Sequence, residues 1–211
     1  MRFWVNVGVV TVDCGSGGIK RRGGDIYQLT LQEVTTSKGK KMGQLDIALL
    51  ILRIWAGFVI IAHGINHGRN LEGTANWFGK VGFRQAKLNA FLSSGMEVVV
   101  GLALVWGLLT SFAAAGLAAT MFVAFWSIHR FAGFFVFHRP DEGYEYVFTL
   151  LAIALALAIG GPGAVSVDAT LGIDGSLSGW VGAGIFALGL VAATGQLAMF
   201  WRKPIKEELP E

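Results

Sequence analysis

The chain reads as an all-α membrane protein, a helical bundle with five spanning segments, on three observations. Five long apolar segments fill most of the sequence, at about 46–66, 88–109, 112–131, 144–160 and 179–201. Apolar residues make up 54% of the chain and charged residues 15%, where a soluble domain carries about a quarter charged residues. Mean hydropathy is +0.58, so the apolar runs overrule a soluble reading of the length. Only Arg53 and Glu97 place a formal charge well inside a segment. A charge in hydrocarbon costs roughly 2.5–3.5 kcal/mol on insertion scales. A chain that keeps one of each sign is expected to pair them, use them, or both.

Residues 1–41 form a separate, poorly ordered region. Segment 3–12 is apolar but too short to span, because a spanning helix needs about 20 residues. No small-residue cleavage site follows it, and Asp13 precedes Cys14 where a lipoprotein signal has a small residue. Glycines at 15, 17, 18, 23 and 24 break a helix, and 27–35 reads as a short strand. Lys38, Lys40 and Lys41 precede Met42, which reads as the natural start; a genuine tail is the alternative. Cys14 is the single cysteine, which excludes a disulfide or a thiol relay within one chain.

The first span is apolar all round, the pattern of a helix in lipid. Arg53 lies two turns in, and Gly57 and Gly64 offer small surfaces for close helix contact. In the loop 67–87, Trp77, Phe78, Val81 and Phe83 alternate with Lys80, Arg84 and Lys87. This predicts a short helix at the membrane surface, with a solvated loop as the alternative. The second and third spans are separated only by Thr110 and Ser111, so they form a tight antiparallel hairpin. Both are rich in Gly and Ala. The fourth span opens near Tyr144 and stops at Gly160-Gly161-Pro162-Gly163. A linker, 165–178, leads to the fifth span, closed by Arg202 and Lys203 and flanked by Trp180 and Trp201 at interfacial positions.

Net charge is +3. The basic residues lie at segment ends, where phospholipid head groups meet them, so the excess speaks for membrane lipids and against nucleic acid. With the face where the first span begins called A and the opposite face B, B carries the larger basic count and is expected to be cytoplasmic.

Helical rise puts Arg53 about 10 Å in from A and Glu97 about 14 Å in from B. In a layer of about 30 Å these levels differ by only several Å, so an Arg53–Glu97 pair near mid-membrane is geometrically possible. Other titratable groups gather toward B: His63 and His67, then His129 and Arg130, then Tyr144, Glu145 and Tyr146. The expected picture is a pocket opening toward B with Glu97 at its floor. Each member also has a plain reading. Arg53 and Glu97 make a structural clamp, and His63 bonds a backbone carbonyl. Tyr144 and Tyr146 anchor at the interface, and Glu145 caps its helix. His63 and His67 have metal-compatible spacing but lack a third ligand, so no metal is expected. His63 with His129 is a conceivable haem pair. Nucleotide-binding loops and a Cys/His cluster for iron–sulfur are absent.

Three runs carry a resemblance. The first is Arg53-Ile-Trp-Ala-Gly57 with His63-Gly64 and Gly73-Thr-Ala-Asn-Trp77-Phe78. The second is Met96-Glu97-Val-Val-Val-Gly101 with Gly107-Leu-Leu-Thr110. The third is Gly143-Tyr144-Glu145-Tyr146 with Gly161-Pro162-Gly163 and Ser166-Val167-Asp168. Together, over about 50–168, they resemble the DoxX family of small bacterial and archaeal membrane proteins. The resemblance implies a four-helix membrane domain at 42–168. Residues 169–211 then add a linker, a fifth transmembrane helix and a charged tail. It also implies multi-pass residence in a prokaryotic plasma membrane and association with oxidoreductases, some quinone-linked and some tied to redox stress. The family's recurring polar positions fall on Arg53, His63, Glu97 and Glu145. The fifth span departs from the four-span pattern and weakens any transfer of orientation.

Three functions follow as expectations. The first is a small subunit of a quinone-linked oxidoreductase complex. There Glu97, Arg53, His63 and Glu145 form an intramembrane polar site, and Trp77, His129 and Tyr144 form the mouth of a pocket for a non-covalent quinone. The second is a non-catalytic anchor that recruits a soluble redox enzyme, marked by a stoichiometric partner without quinone dependence. The third is a small transporter, disfavoured by the lack of an inverted repeat. Whether the chain is itself an enzyme is left open.

Overall fold

The structure, a computed structural model, describes residues 42–135, 137 and 142–204. The readings made for the N-terminal region, including Cys14 and the strand at 27–35, lie outside the described residues, as do His138, Arg139, Asp141 and the tail beyond 204.

Among the described residues all regular structure is helical. Helix α1 is Gln44–Arg69, α2 Leu71–Lys80, α3 Ala86–Trp106, α4 Thr110–Ser127, α5 Glu145–Gly160, α6 Val167–Leu171, α7 Asp174–Leu177 and α8 Gly179–Phe200, with a 3-10 turn at His129–Phe131 between α4 and α5. Helices α1, α3, α4 and α8 are long and apolar enough to cross a membrane. Helix α5 has 16 residues, about 24 Å at 1.5 Å per residue. It is apolar throughout and packs against α4 and α8 inside the bundle.

Small residues decide which helices meet. On α1, a Cβ at Gly57 would stand 2.7 Å from the carbonyl oxygen of Gly101. A Cβ at Gly101 would meet the Gly57 carbonyl at the same distance. The two backbones therefore touch, and α1 packs along α3 in antiparallel fashion. Gly189 of α8 lies against the Ala115 carbonyl of α4 in the same way. The core that results is built from Ala56, Ile60, Val100, Leu104, Ala114, Leu117, Val147, Ala154 and Leu157. The outward faces are apolar too: Trp55, Phe58, Phe91, Val99, Trp106, Leu188 and Val191 are all exposed. Large aromatic and aliphatic side chains on the outside, with glycine and alanine at the helix contacts, match a bundle solvated by lipid. The protein is an all-α integral membrane protein.

The polypeptide enters and leaves these helices through bonds that local sequence does not reveal. The turn between α3 and α4 is Gly107-Leu108-Leu109, not Thr110-Ser111, which instead begin α4 and are buried. Gly107 and Leu109 both have positive φ, at 64° and 47°. The N-terminus of α4 has no cap of its own. Asp168, in the segment after α5, supplies one: its carboxylate accepts the Leu109 N–H at 2.6 Å and the Thr110 N–H at 2.8 Å. Ser111 Oγ donates to the carbonyl of Leu177 at 2.7 Å. The expected linker thus contains α6 and α7 and lies across the A ends of the helices. At the B end, α2 lies between α1 and α3 in sequence, as the amphipathic pattern predicts, capped by Asn70, which accepts the Gly73 N–H. The C-terminus of α8 is tied to the α2–α3 loop. Arg84 N–H bonds the Phe200 carbonyl, Arg202 N–H bonds that of Gly82, and Trp201 Nε1 bonds that of Val81.

Candidate functional site

Glu97 and Arg53 are both buried, at 4% and 1% exposure, but they do not form a pair. Arg53 lies opposite Gly107, where its Nη1 occupies the space a side chain would need, and Nη2 donates to the Val165 carbonyl at 2.6 Å. Glu97 lies opposite Gly64. Ten residues of α3 separate the two levels, about 15 Å along the helix axis. The expected mid-membrane pair is therefore corrected. Depth counted from each helix's own end assumed that α1 and α3 begin and end together. The Gly57–Gly101 contact fixes a different register and leaves Arg53 near A. There it faces the Asp168 carboxylate that caps α4, so this cation belongs to the closure of the A end.

Toward B the helices diverge around a cavity of about 350 Å³. Its walls come from α1 (Ile60, His63, His67), α2 (Trp77, Phe78), α3 (Ser93, Met96, Glu97), α4 (Gly116, Thr120, Met121, Ser127), His129, Tyr146 of α5 and Gln196 of α8. Glu97 is its only carboxylate among the described residues. Ser93, one turn earlier on α3, donates its hydroxyl to Glu97 Oε1 at 2.8 Å, while Oε2 is buried without a partner. A buried acceptor with no donor is costly, so Oε2 is the atom in the cavity most in need of a ligand hydrogen or a proton of its own.

A second polar chain lines the B side. His129 Nδ1 lies 2.6 Å from the Glu142 carbonyl, and Nε2 lies 3.0 Å from the Tyr146 hydroxyl. A carbonyl only accepts, so Nδ1 carries the proton. In the neutral ring Nε2 then accepts, and Tyr146 O–H donates. Both nitrogens of His129 are engaged in hydrogen bonds. Across the cavity, the His63 ring stacks on Tyr146 with centroids 6.4 Å apart and planes 12° apart. The His67 ring stacks on Trp77 at 6.3 Å and 14°. His63 and His67 are 6.3 Å apart, and no group of three His, Cys, Asp or Glu suited to a metal occurs among the described residues.

Four of the residues expected at the site, Glu97, His63, Trp77 and His129, line one cavity. Arg53, Glu145 and Tyr144 do not. The Tyr144 ring packs into an aromatic cluster with Phe125, Phe134 and Phe148. Tyr146 takes the lining position instead. One residue is about 100° of helix, so an error of one or two in helix phase exchanges the inner and outer side chains. His67, named with His63 among the groups toward B, lines the cavity as well, and Ser93 and Gln196 are lining residues the sequence reading missed. Ser93 carried a legible signal, since a hydroxyl one turn from an intramembrane carboxylate shares its face.

Comparison with known proteins finds a family match over part of the chain. The DoxX family model matches residues 48–130, which hold most of α1, all of α2, α3 and α4, and His129. Residues 48–130 belong to the DoxX family. The DoxX domain thus contributes Glu97, His63, His67, Trp77 and His129 to the cavity, and Tyr146 and α8 complete the wall from outside the matched segment. A Bacillus subtilis protein named "Putative oxidoreductase CatD" is 27% identical over 112 residues, covering 53% of this chain and 79% of that protein. An uncharacterised protein of Haemophilus influenzae is 28% identical over 130 residues, covering 58% and 82%. No solved structure matches the chain.

Proposed function

We propose that this DoxX protein is a subunit of a quinone-linked oxidoreductase complex in a prokaryotic plasma membrane, and that the cavity around Glu97 receives the quinone head group. The observation that carries the reading is a buried carboxylate with one unpartnered oxygen, on Glu97, in the wall of a largely apolar cavity of about 350 Å³. That volume falls in the range of small-molecule sites, with few polar groups set in an apolar lining. In this reading a quinone supplies two-electron, two-proton redox chemistry and a partner oxidoreductase supplies its electrons. The chain's own residues handle binding and protons. Glu97 Oε2 takes or gives a proton at a head-group oxygen, with Ser93 fixing the carboxylate through Oε1. Tyr146, held by His129, presents the opposite polar edge, and Phe78 and Met96 supply apolar contact. The name of the Bacillus relative supports the oxidoreductase class.

The test is Glu97→Gln, which is nearly isosteric and keeps a hydrogen-bonding group but cannot exchange a proton. In membranes from cells expressing the variant, the complex assembles and quinone-dependent turnover is abolished. Full quinone reduction by an assembled Glu97→Gln complex rejects the reading.

A further inference from the structure

A second groove of about 290 Å³ lies on the outer surface between α4 and α8, separate from the Glu97 cavity. Phe122, Trp126, Leu197 and Trp201 form its walls, with Thr194 toward the membrane interior and Arg202 at its B end. Thr194 lies six residues before the end of α8 at Phe200, about 9 Å along the helix, and Arg202 follows just beyond that end. The groove therefore runs from head-group level into the acyl region.

Arg130 borders the same rings. Its guanidinium carbon is 4.0 Å from the Trp126 ring centre, 4.5 Å from that of Phe131 and 5.4 Å from that of Trp201. Three aromatic faces hold the cation in place. Among the described residues no carboxylate, hydroxyl or carbonyl bonds it, and its Nε is buried with no partner. A guanidinium stacked this way keeps its planar N–H edge for an acceptor, and phosphate oxygens match that edge in pairs. Arg202 is exposed and held by Nη1 to the carbonyls of Ala198 and Trp201, and among the described residues its Nε and Nη2 have no hydrogen-bond partner. Among the described residues no acidic side chain lines the groove. A cation without a counter-ion, beside an apolar channel that begins where head groups lie, is complementary to a negatively charged amphiphile.

We propose that this groove binds an anionic phospholipid of the surrounding membrane, with the phosphate on Arg130 and Arg202 and one acyl chain along Phe122 and Leu197. The site is independent of the quinone reading. Anionic lipids add the electrostatic attraction that zwitterionic ones lack.

The full chain, purified in mild detergent, is titrated with phosphatidylglycerol and with phosphatidylcholine of the same acyl chains, and bound lipid is counted by native mass spectrometry. Phosphatidylglycerol is retained in preference. Arg130→Gln weakens its binding about tenfold or more, Arg202→Gln weakens it by a smaller factor, and Leu197→Trp, which fills the channel, weakens it without changing charge. Because Arg130 is packed among rings, Arg202→Gln at the exposed position carries the test if Arg130→Gln does not purify. Equal retention of the two lipids, or phosphatidylglycerol binding unchanged in the arginine variants that fold, overturns the proposal.

Discussion

Gly64 packs directly against Glu97: a Cβ at position 64 would stand 2.9 Å from the Glu97 Cβ and 2.9 Å from the Ser94 carbonyl oxygen. The carboxylate can occupy the cavity because the facing helix offers no side chain there. Gly64→Ala is therefore expected to destabilise the bundle by about 1–3 kcal/mol through overpacking and to lower quinone turnover by displacing Glu97. Gly95→Ala, on the same helix as Glu97 with nothing within 4 Å, is the control, expected neutral or slightly stabilising. Thermal unfolding in detergent, run beside turnover, separates the two.

Asp168 caps α4 from 58 residues away. Asp168→Ala leaves the N–H groups of Leu109 and Thr110 without their acceptor and Arg53 without its facing negative charge. The expected loss is about 2–4 kcal/mol. Asp168→Asn, which retains one acceptor oxygen, is expected to lose less. Unfolding midpoints of the purified variants check the order.

Arg53 and Glu97 are expected to separate by phenotype. Arg53→Gln removes the bond to the Val165 carbonyl at the A end and lowers stability by about 1.5–3 kcal/mol, while quinone turnover per folded molecule is retained. Glu97→Gln does the reverse. Loss of turnover by a folded Arg53→Gln protein would place the arginine back in the reacting site.

Tyr146→Phe removes the donor to His129 Nε2 while keeping the ring that stacks on His63. The expected cost in stability is about 0.5–1.5 kcal/mol, with a higher KM for quinone and a smaller change in kcat. Tyr144→Phe, whose ring lies in the separate cluster with Phe125 and Phe148, leaves both constants near wild type.

The fold was largely legible because lipid imposes helices on apolar runs, and the five runs became α1, α3, α4, α5 and α8. A helix within 67–87 was legible from the alternation there; it is α2, Leu71–Lys80, with Phe83 and Arg84 beyond its end. Glu97 was legible as a buried charge worth attention. What resisted reading was relative placement. The Arg53 level depends on which glycines of α1 and α3 touch, and Tyr146 rather than Tyr144 lines the cavity because of helix phase. The cap of α4 comes from Asp168, which no local pattern around Thr110 announces. The basic count at segment ends pointed to lipid head groups; the stacking of Arg130 on Trp126 and Trp201 required the third dimension.

The most direct measurement of the central claim is photolabelling with an azido-quinone in native membranes, followed by mapping of the modified peptides. The predicted result is labelling within 89–97 and around Tyr146, suppressed by excess unlabelled quinone and reduced in Glu97→Gln. Label confined to lipid-facing residues such as Phe58 and Val191, unaffected by competing quinone, would contradict it.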